Sequence, residues 1–127
     1  MKPPVEPRGE DWCVLIMASV EEAFRRLTIG DPEFVASVAA RDTSIRRVSH
    51  LDARTEALMR IAALVALDAP RSSYRSAVAA AQIAGARLED LFAVLVAIVD
   101  DVGSARVISA APRIALAAGY DVEAELE

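Results

Sequence analysis

Leu51-Asp52-Ala53-Arg54-Thr55-Glu56-Ala57-Leu58-Met59-Arg60-Ile61-Ala62-Ala63-Leu64-Val65-Ala66-Leu67 is the stretch from which the fold class follows. Asp52 is a good N-cap, because a short carboxylate can accept the orphan N–H groups of a first helical turn. Arg54 and Glu56 follow within the first turn or so. From Ala57 to Leu67, Arg60 is the single polar residue. A helix apolar nearly all round is buried on several sides rather than resting on a surface. Asp68-Ala69-Pro70 then breaks it.

The same punctuation continues outward in both directions. Ser72 or Ser73 starts a helix that runs through Ala77–Ile83 and is capped at Gly85. Leu88-Glu89-Asp90 places two carboxylates at the positive end of a further helix, Glu89 to Val102, again almost wholly apolar between Leu91 and Val99. Gly103 interrupts, and a last helix spans about Ser104 to Ala118, where Pro112 is expected to kink or split it. Gly119 caps it, and Asp121 begins a short acidic tail.

Upstream, a helix over about Asp11 to Leu27 carries Val14, Met17, Ala18 and Phe24 on one side and stops at Ile29-Gly30. Asp31-Pro32-Glu33 restarts the chain as a helix, with Asp as cap, Pro where its missing N–H costs nothing, and Glu at the dipole's positive end. Phe34, Val35, Val38 and Ala39 form its apolar stripe, which ends near Asp42. Residues 1–10, with three prolines and a glycine, read as a flexible arm. Period-two alternation is absent. The expectation is an all-α bundle of about six helices, one domain over 11–127.

Composition agrees. Hydrophobic residues make up 54% of the 127 and aromatics 5%, so the core must be built from Ala, Val, Leu and Ile, which suits closely packed helices. The net charge is −5. Beyond Arg25–Arg26 and Arg46–Arg47 no basic cluster occurs, so the electrostatic footprint of nucleic-acid binding is missing. The longest apolar runs, Ile61–Leu67 and Leu91–Val99, fall well short of the roughly 20 residues that span a bilayer. Met1-Lys2-Pro3-Pro4 leads into acidic residues rather than an apolar h-region, which predicts no signal peptide and, with one cysteine, a cytoplasmic chain.

The stretch from Leu51 to Ala62 resembles the opening of the central helix of the carboxymuconolactone decarboxylase / AhpD-like family, a capping "L-(S/D)" followed by an "E-L-I-x-L-A" type run. Ala77-Val78-Ala79-Ala80-Ala81-Gln82-Ile83-Ala84-Gly85-Ala86-Arg87-Leu88-Glu89-Asp90-Leu91 resembles that family's "H-x-x-x-A-x-x-x-G-x-(T/S)-x-E-E-I" passage, and Gly103 matches the glycine after its buried helix. The likeness covers about Asp31 to Asp121. It implies an all-α subunit assembled into trimers, hexamers or similar rings, with the active site near a subunit interface. The family includes decarboxylases of carboxymuconolactone and thiol-dependent peroxidases. The peroxidase branch uses C-x-x-C-x-x-x-H with an upstream Glu, which together make a thiolate. Here the resemblance aligns the His with Ala77, the two Cys with Ser73 and Pro70, and the Glu with Ala57, or with Glu56 if the loop differs by one residue. The decarboxylase branch's His is missing as well.

Four residues are pocket candidates. Glu56 and Arg60, four apart, form a surface ion pair or, since Arg60 interrupts an apolar run, face a pocket. Tyr74 lies where the family keeps its reactive residues and can donate to a ligand, or else packs with a wet hydroxyl. Asp101, beside Asp100, aligns near a pocket-facing position of the family; helix-end solvation is the competing account. His50 alone is a poor metal site, and Cys13 beside Trp12 has no base partner in sequence. No Gly-rich phosphate loop or nucleophile elbow occurs, so no cofactor is implied.

Three functions follow as expectations. One is a divergent family member that binds a small organic molecule in an interface pocket, where Arg60, Tyr74 and Asp101 orient a polar or anionic substrate, with lyase or isomerase chemistry. Another is a non-catalytic oligomeric scaffold or partner subunit. Thiol-dependent peroxidase activity stands third, because Cys13 lacks a resolving partner. Two helices this apolar in so small a chain predict an obligate homo-oligomer, trimeric or hexameric. Light scattering at micromolar concentration is expected to return a multiple of the 13.6 kDa chain; a monomeric mass would contradict it.

Overall fold

The computed structural model describes residues 9–48 and 50–125. Among them the chain is all-helical, with no strand. Six helices have eight residues or more: α1 (Gly9–Thr28), α2 (Pro32–Ala39), α4 (Ala53–Ala66), α5 (Arg71–Ile83), α6 (Leu88–Val102) and α7 (Ser104–Ala117). Two short ones, α3 (Thr43–Val48) and α8 (Val122–Glu125), join them. The arm expected over 1–10 lies outside the described residues except for Gly9 and Glu10, which open α1. No helix among the described residues is long and apolar enough to cross a membrane. Contacts group the chain into two compact units, Met1–His50 and Leu51–Glu127.

In the first unit α1 packs against α2 and α3. Asp31 caps α2 as its sequence implies, accepting from the N–H groups of Glu33 (3.1 Å) and Phe34 (3.4 Å). Those backbone donors, the Phe34 N–H foremost, and then Arg26 Nε at 3.1 Å hold the Asp31 carboxyl below the usual carboxylate range. The Arg26 guanidinium also lies over the Phe34 ring, 4.6 Å from its centroid. Phe34 is buried and Val38 half-buried, but Val35 and Ala39 are exposed, so the apolar stripe of α2 is narrower than expected.

In the second unit α4 and α7 each pack against the other three long helices. Every helix turns in one stripe at three- and four-residue spacing: Ile61 and Val65 from α4, Tyr74, Ala77, Val78 and Ala81 from α5, Leu91 and Leu95 from α6, Ala110 and Ile114 from α7. Within the single chain, α4 and α6 each keep an exposed apolar side. Met59 and Ala63 on α4 and Phe92 and Val96 on α6 face outward, because a four-helix arrangement leaves one side of each helix without a neighbour.

Caps and ties follow local chemistry. Gly85, at φ +93°, ends α5 with the Ala86 N–H donating to the Ala81 carbonyl at 2.9 Å, a geometry in which a side chain would be strained. Asp52 stands at the N-cap of α4 with extended backbone, its carboxyl held below the usual range chiefly by the Thr55 side chain, but it makes no capping hydrogen bond. Carbonyls at the end of α4 and in the turn after it are satisfied from α7: Arg106 donates to Ala66 O (2.6 Å) and Arg113 to Ala69 O (2.9 Å). At the other end Arg54 of α4 donates to Asp90 of α6 at 2.6 Å. Asp90 also accepts the Arg87 N–H at 2.8 Å; that backbone bond first, and Arg54 second, keep its carboxyl below the usual range. Helix α7 continues unbroken past Pro112, so the proline does not split it.

Tyr74 is the largest fully buried side chain among the described residues, and its hydroxyl has no hydrogen-bond partner among them. Burial pushes its phenol pKa up, with Arg113 opposing. A buried hydroxyl left unpaired costs stability while its ring contributes packing. Tyr74→Phe is therefore expected to leave stability unchanged or raise it by up to about 1 kcal/mol. Tyr74→Ala should cost about 3–5 kcal/mol. Urea denaturation midpoints measure both; a large loss in the phenylalanine variant would mean that the hydroxyl is bonded.

Candidate functional site

A cavity of about 550 Å³ opens between α6 and α7. Leu88 and Phe92 come from α6, Pro112 and Ala115 from α7, and the turn into α8 adds Tyr120 and Val122. Leu91, Leu95 and Ile114 form its floor, being also part of the core. The position follows from local structure: Gly119 lets the chain reverse after α7, with the Tyr120 N–H donating to the Ala115 carbonyl at 2.8 Å. That turn closes one side. The wall is almost wholly apolar, and its volume falls in the range of sites for drug-sized molecules.

Among the lining residues Glu89 is the one with an ionisable carboxylate, and it makes no hydrogen bond or ion pair. It sits in the first turn of α6, where the helix dipole favours negative charge. Tyr120 supplies the other polar atom, on a side chain half open to solvent. A small cavity of about 80 Å³ adjoins through the shared Pro112 and Val122, where Arg71 and Asp121 both line the wall. No nucleophile with a neighbouring base lines either space. The first unit has its own apolar cavity of about 190 Å³, with Phe24, Leu27, Phe34 and Val38 among its walls.

None of the four residues singled out by sequence lines these cavities. Tyr74 has zero exposure inside the core, neither wet nor reaching toward a ligand. Arg60 and Asp101 are exposed on α4 and α6, as is Asp100, and Glu56 is half-buried with a partner of its own. His50 is exposed, and the Cys13 side chain lies outside the described residues. No cluster of three or more His, Cys, Asp or Glu able to hold a metal occurs among the described residues. The α6–α7 cavity was not among the sequence expectations, although Leu88, Phe92 and Val96 fall at four-residue spacing on the flank of α6 adjoining Leu91 and Leu95. That second apolar stripe was its signal.

The chain matches no family model, and no curated protein or solved structure is similar to it. The likeness to the carboxymuconolactone decarboxylase / AhpD-like family therefore rests on the stretches quoted above. At its key position Ala77 is 1% exposed and packed within the core, Ser73 is half-buried, and Pro70 is exposed at the N-cap of α5. A side chain of histidine size has no room there without displacing neighbours. Ala77→His should destabilise the fold by about 1–3 kcal/mol and restore neither decarboxylase nor peroxidase turnover. Thermal denaturation and a hydroperoxide–dithiol assay measure the two halves; a stable, active variant would overturn this account of the position.

Proposed function

We propose that this chain is a divergent relative of the carboxymuconolactone decarboxylase / AhpD-like proteins that has kept a helical scaffold and serves as a non-catalytic binding module. Its ligand is a small, largely apolar organic molecule held in the α6–α7 cavity. The single observation that carries the reading is the character of that cavity: drug-sized, apolar, and lined by one carboxylate rather than by a paired acid and base. The loss of the family's Cys and His positions to Pro70, Ser73 and Ala77 supports binding without turnover.

Association with other copies fits the same surface. Leu88, Phe92 and Val96 on α6, and Ile108, Pro112 and Leu116 on α7, are exposed at four-residue spacing, so both apolar stripes run on beyond the cavity they share. Burying one such side chain contributes roughly 1.5–3 kcal/mol, which makes a homo-oligomer with the cavity beside its interface the favoured assembly.

Titration with a neutral solvatochromic dye such as Nile red tests the binding site. The wild-type chain should saturate with about one dye per chain. Ala115→Phe, which fills the cavity, should weaken binding about tenfold or more, since one lost apolar contact surface of this size corresponds to at least ~1.4 kcal/mol. Ile83→Ser, at a highly exposed leucine-sized position outside the cavity, should leave it unchanged. Equal loss in both variants would mean that the dye reads general surface hydrophobicity and that the cavity is not the site.

A further inference from the structure

The cavity wall says more than that the ligand is apolar. We infer that the site selects a cationic amphiphile: a molecule with an apolar body and a protonated amine at the end that meets Glu89. The inference rests on the binding reading above and adds the ligand's charge.

Three features of the wall converge. Glu89 is the carboxylate among the lining residues and has no cation of its own; its neighbour Asp90, by contrast, is engaged by Arg54 and the Arg87 N–H. Phe92 lies three residues on, one turn along the same side of α6, so an aromatic ring stands next to the carboxylate. Tyr120 brings a second ring to the same wall from across α7. Aromatic faces attract ammonium groups through the ring quadrupole, and a carboxylate adds direct charge attraction. An anionic head would meet Glu89 instead and be repelled.

Two groups argue in the opposite direction and are outweighed. The first-turn N–H groups of α6 favour an anion, but the carboxylates of Glu89 and Asp90 already occupy that end of the helix. Arg71 lies in the adjoining small cavity, where Asp121 lines the same wall and offsets its charge. No Lys or Arg lines the large cavity itself.

The experiment displaces the bound neutral dye from the whole chain with n-decylammonium, n-decanol and n-decanoate, each below its aggregation threshold, at neutral pH. On the wild-type chain, decylammonium should displace the dye at a concentration about tenfold lower than decanoate, with decanol between them. Glu89→Gln should bring the three within about twofold, while Asp100→Asn, which removes an equal charge from an exposed site elsewhere on α6, should keep the preference. A preference that survives Glu89→Gln, or its reversal toward decanoate, would overturn the charge selection and leave the apolar site standing. Failure of all three to displace the dye would overturn the binding reading along with it.

Discussion

Helix α5 lies close against α4 and α7, with alanine at two of the four buried positions of its inward stripe. Ala77 and Ala81 sit at or near zero exposure between Tyr74 and Val78, and Ala110 of α7 faces the same interior. Backbones separated by alanine approach more closely than those separated by leucine, and at protein packing density there is no slack for a longer side chain. The rest of the second unit follows from that spacing. A core with alanine at several of its positions holds fewer large side chains, and a chain rich in Leu, Ile and Val has more of them than that interior takes up. The surplus lies outside: Ile83, Leu67, Ile108, Phe92 and Val96 are all more exposed than buried. A hydrophobic composition here is thus a property of surfaces as much as of a core.

Polar chemistry goes mostly to fixing the helices at their ends. Arg106 and Arg113 reach from α7 to the last carbonyls of α4 and its following turn, where a helix presents unpaired acceptors and partial negative charge. The turn itself is made by Asp68 at φ +52°, a conformation that glycine adopts more cheaply. Arg113 also comes within 3.5 Å of the Asp68 carboxylate, which helps to explain a carboxylate at that position. Arg54 ties the opposite end of α4 to α6 through Asp90. Those three arginines act between helices separated widely in sequence, whereas Arg60, conspicuous for its apolar neighbours, points to solvent.

Helix positions were legible because their signals are local. Asp31-Pro32-Glu33, Gly85, Leu88-Glu89-Asp90 and Gly103 each bias the backbone over a few residues, and each marks a helix boundary in the structure. Helices α3 and α8 carry no such signal; six and four residues are too few to establish a period. The polar candidates rest on a different kind of signal. Tyr74 and Asp101 were selected by their alignment with the positions of a resembling family, and Arg60 by being polar among apolar neighbours. Neither criterion specifies which way a side chain points. The α6–α7 cavity depends on which two faces of two helices are left without a neighbour, and on a turn at Gly119 that brings Tyr120 and Val122 back to them. That is tertiary information. The nearest sequence clue was that the apolar face of α6 is wider than one packed stripe: Leu91 and Leu95 pack inward, and the adjoining Leu88, Phe92 and Val96 do not.

The placement of Glu89 sets what such a cavity can achieve. Its charge is favoured by the α6 dipole, and any cation that pairs with it gains the carboxylate but also faces the same positive helix end. The carboxylate is at a rim rather than at the apolar floor of Leu91, Leu95 and Ile114, so solvent and salt screen the pair and its strength stays modest. Affinity must then come from the apolar body, and the charge decides only which end of the molecule lies outward.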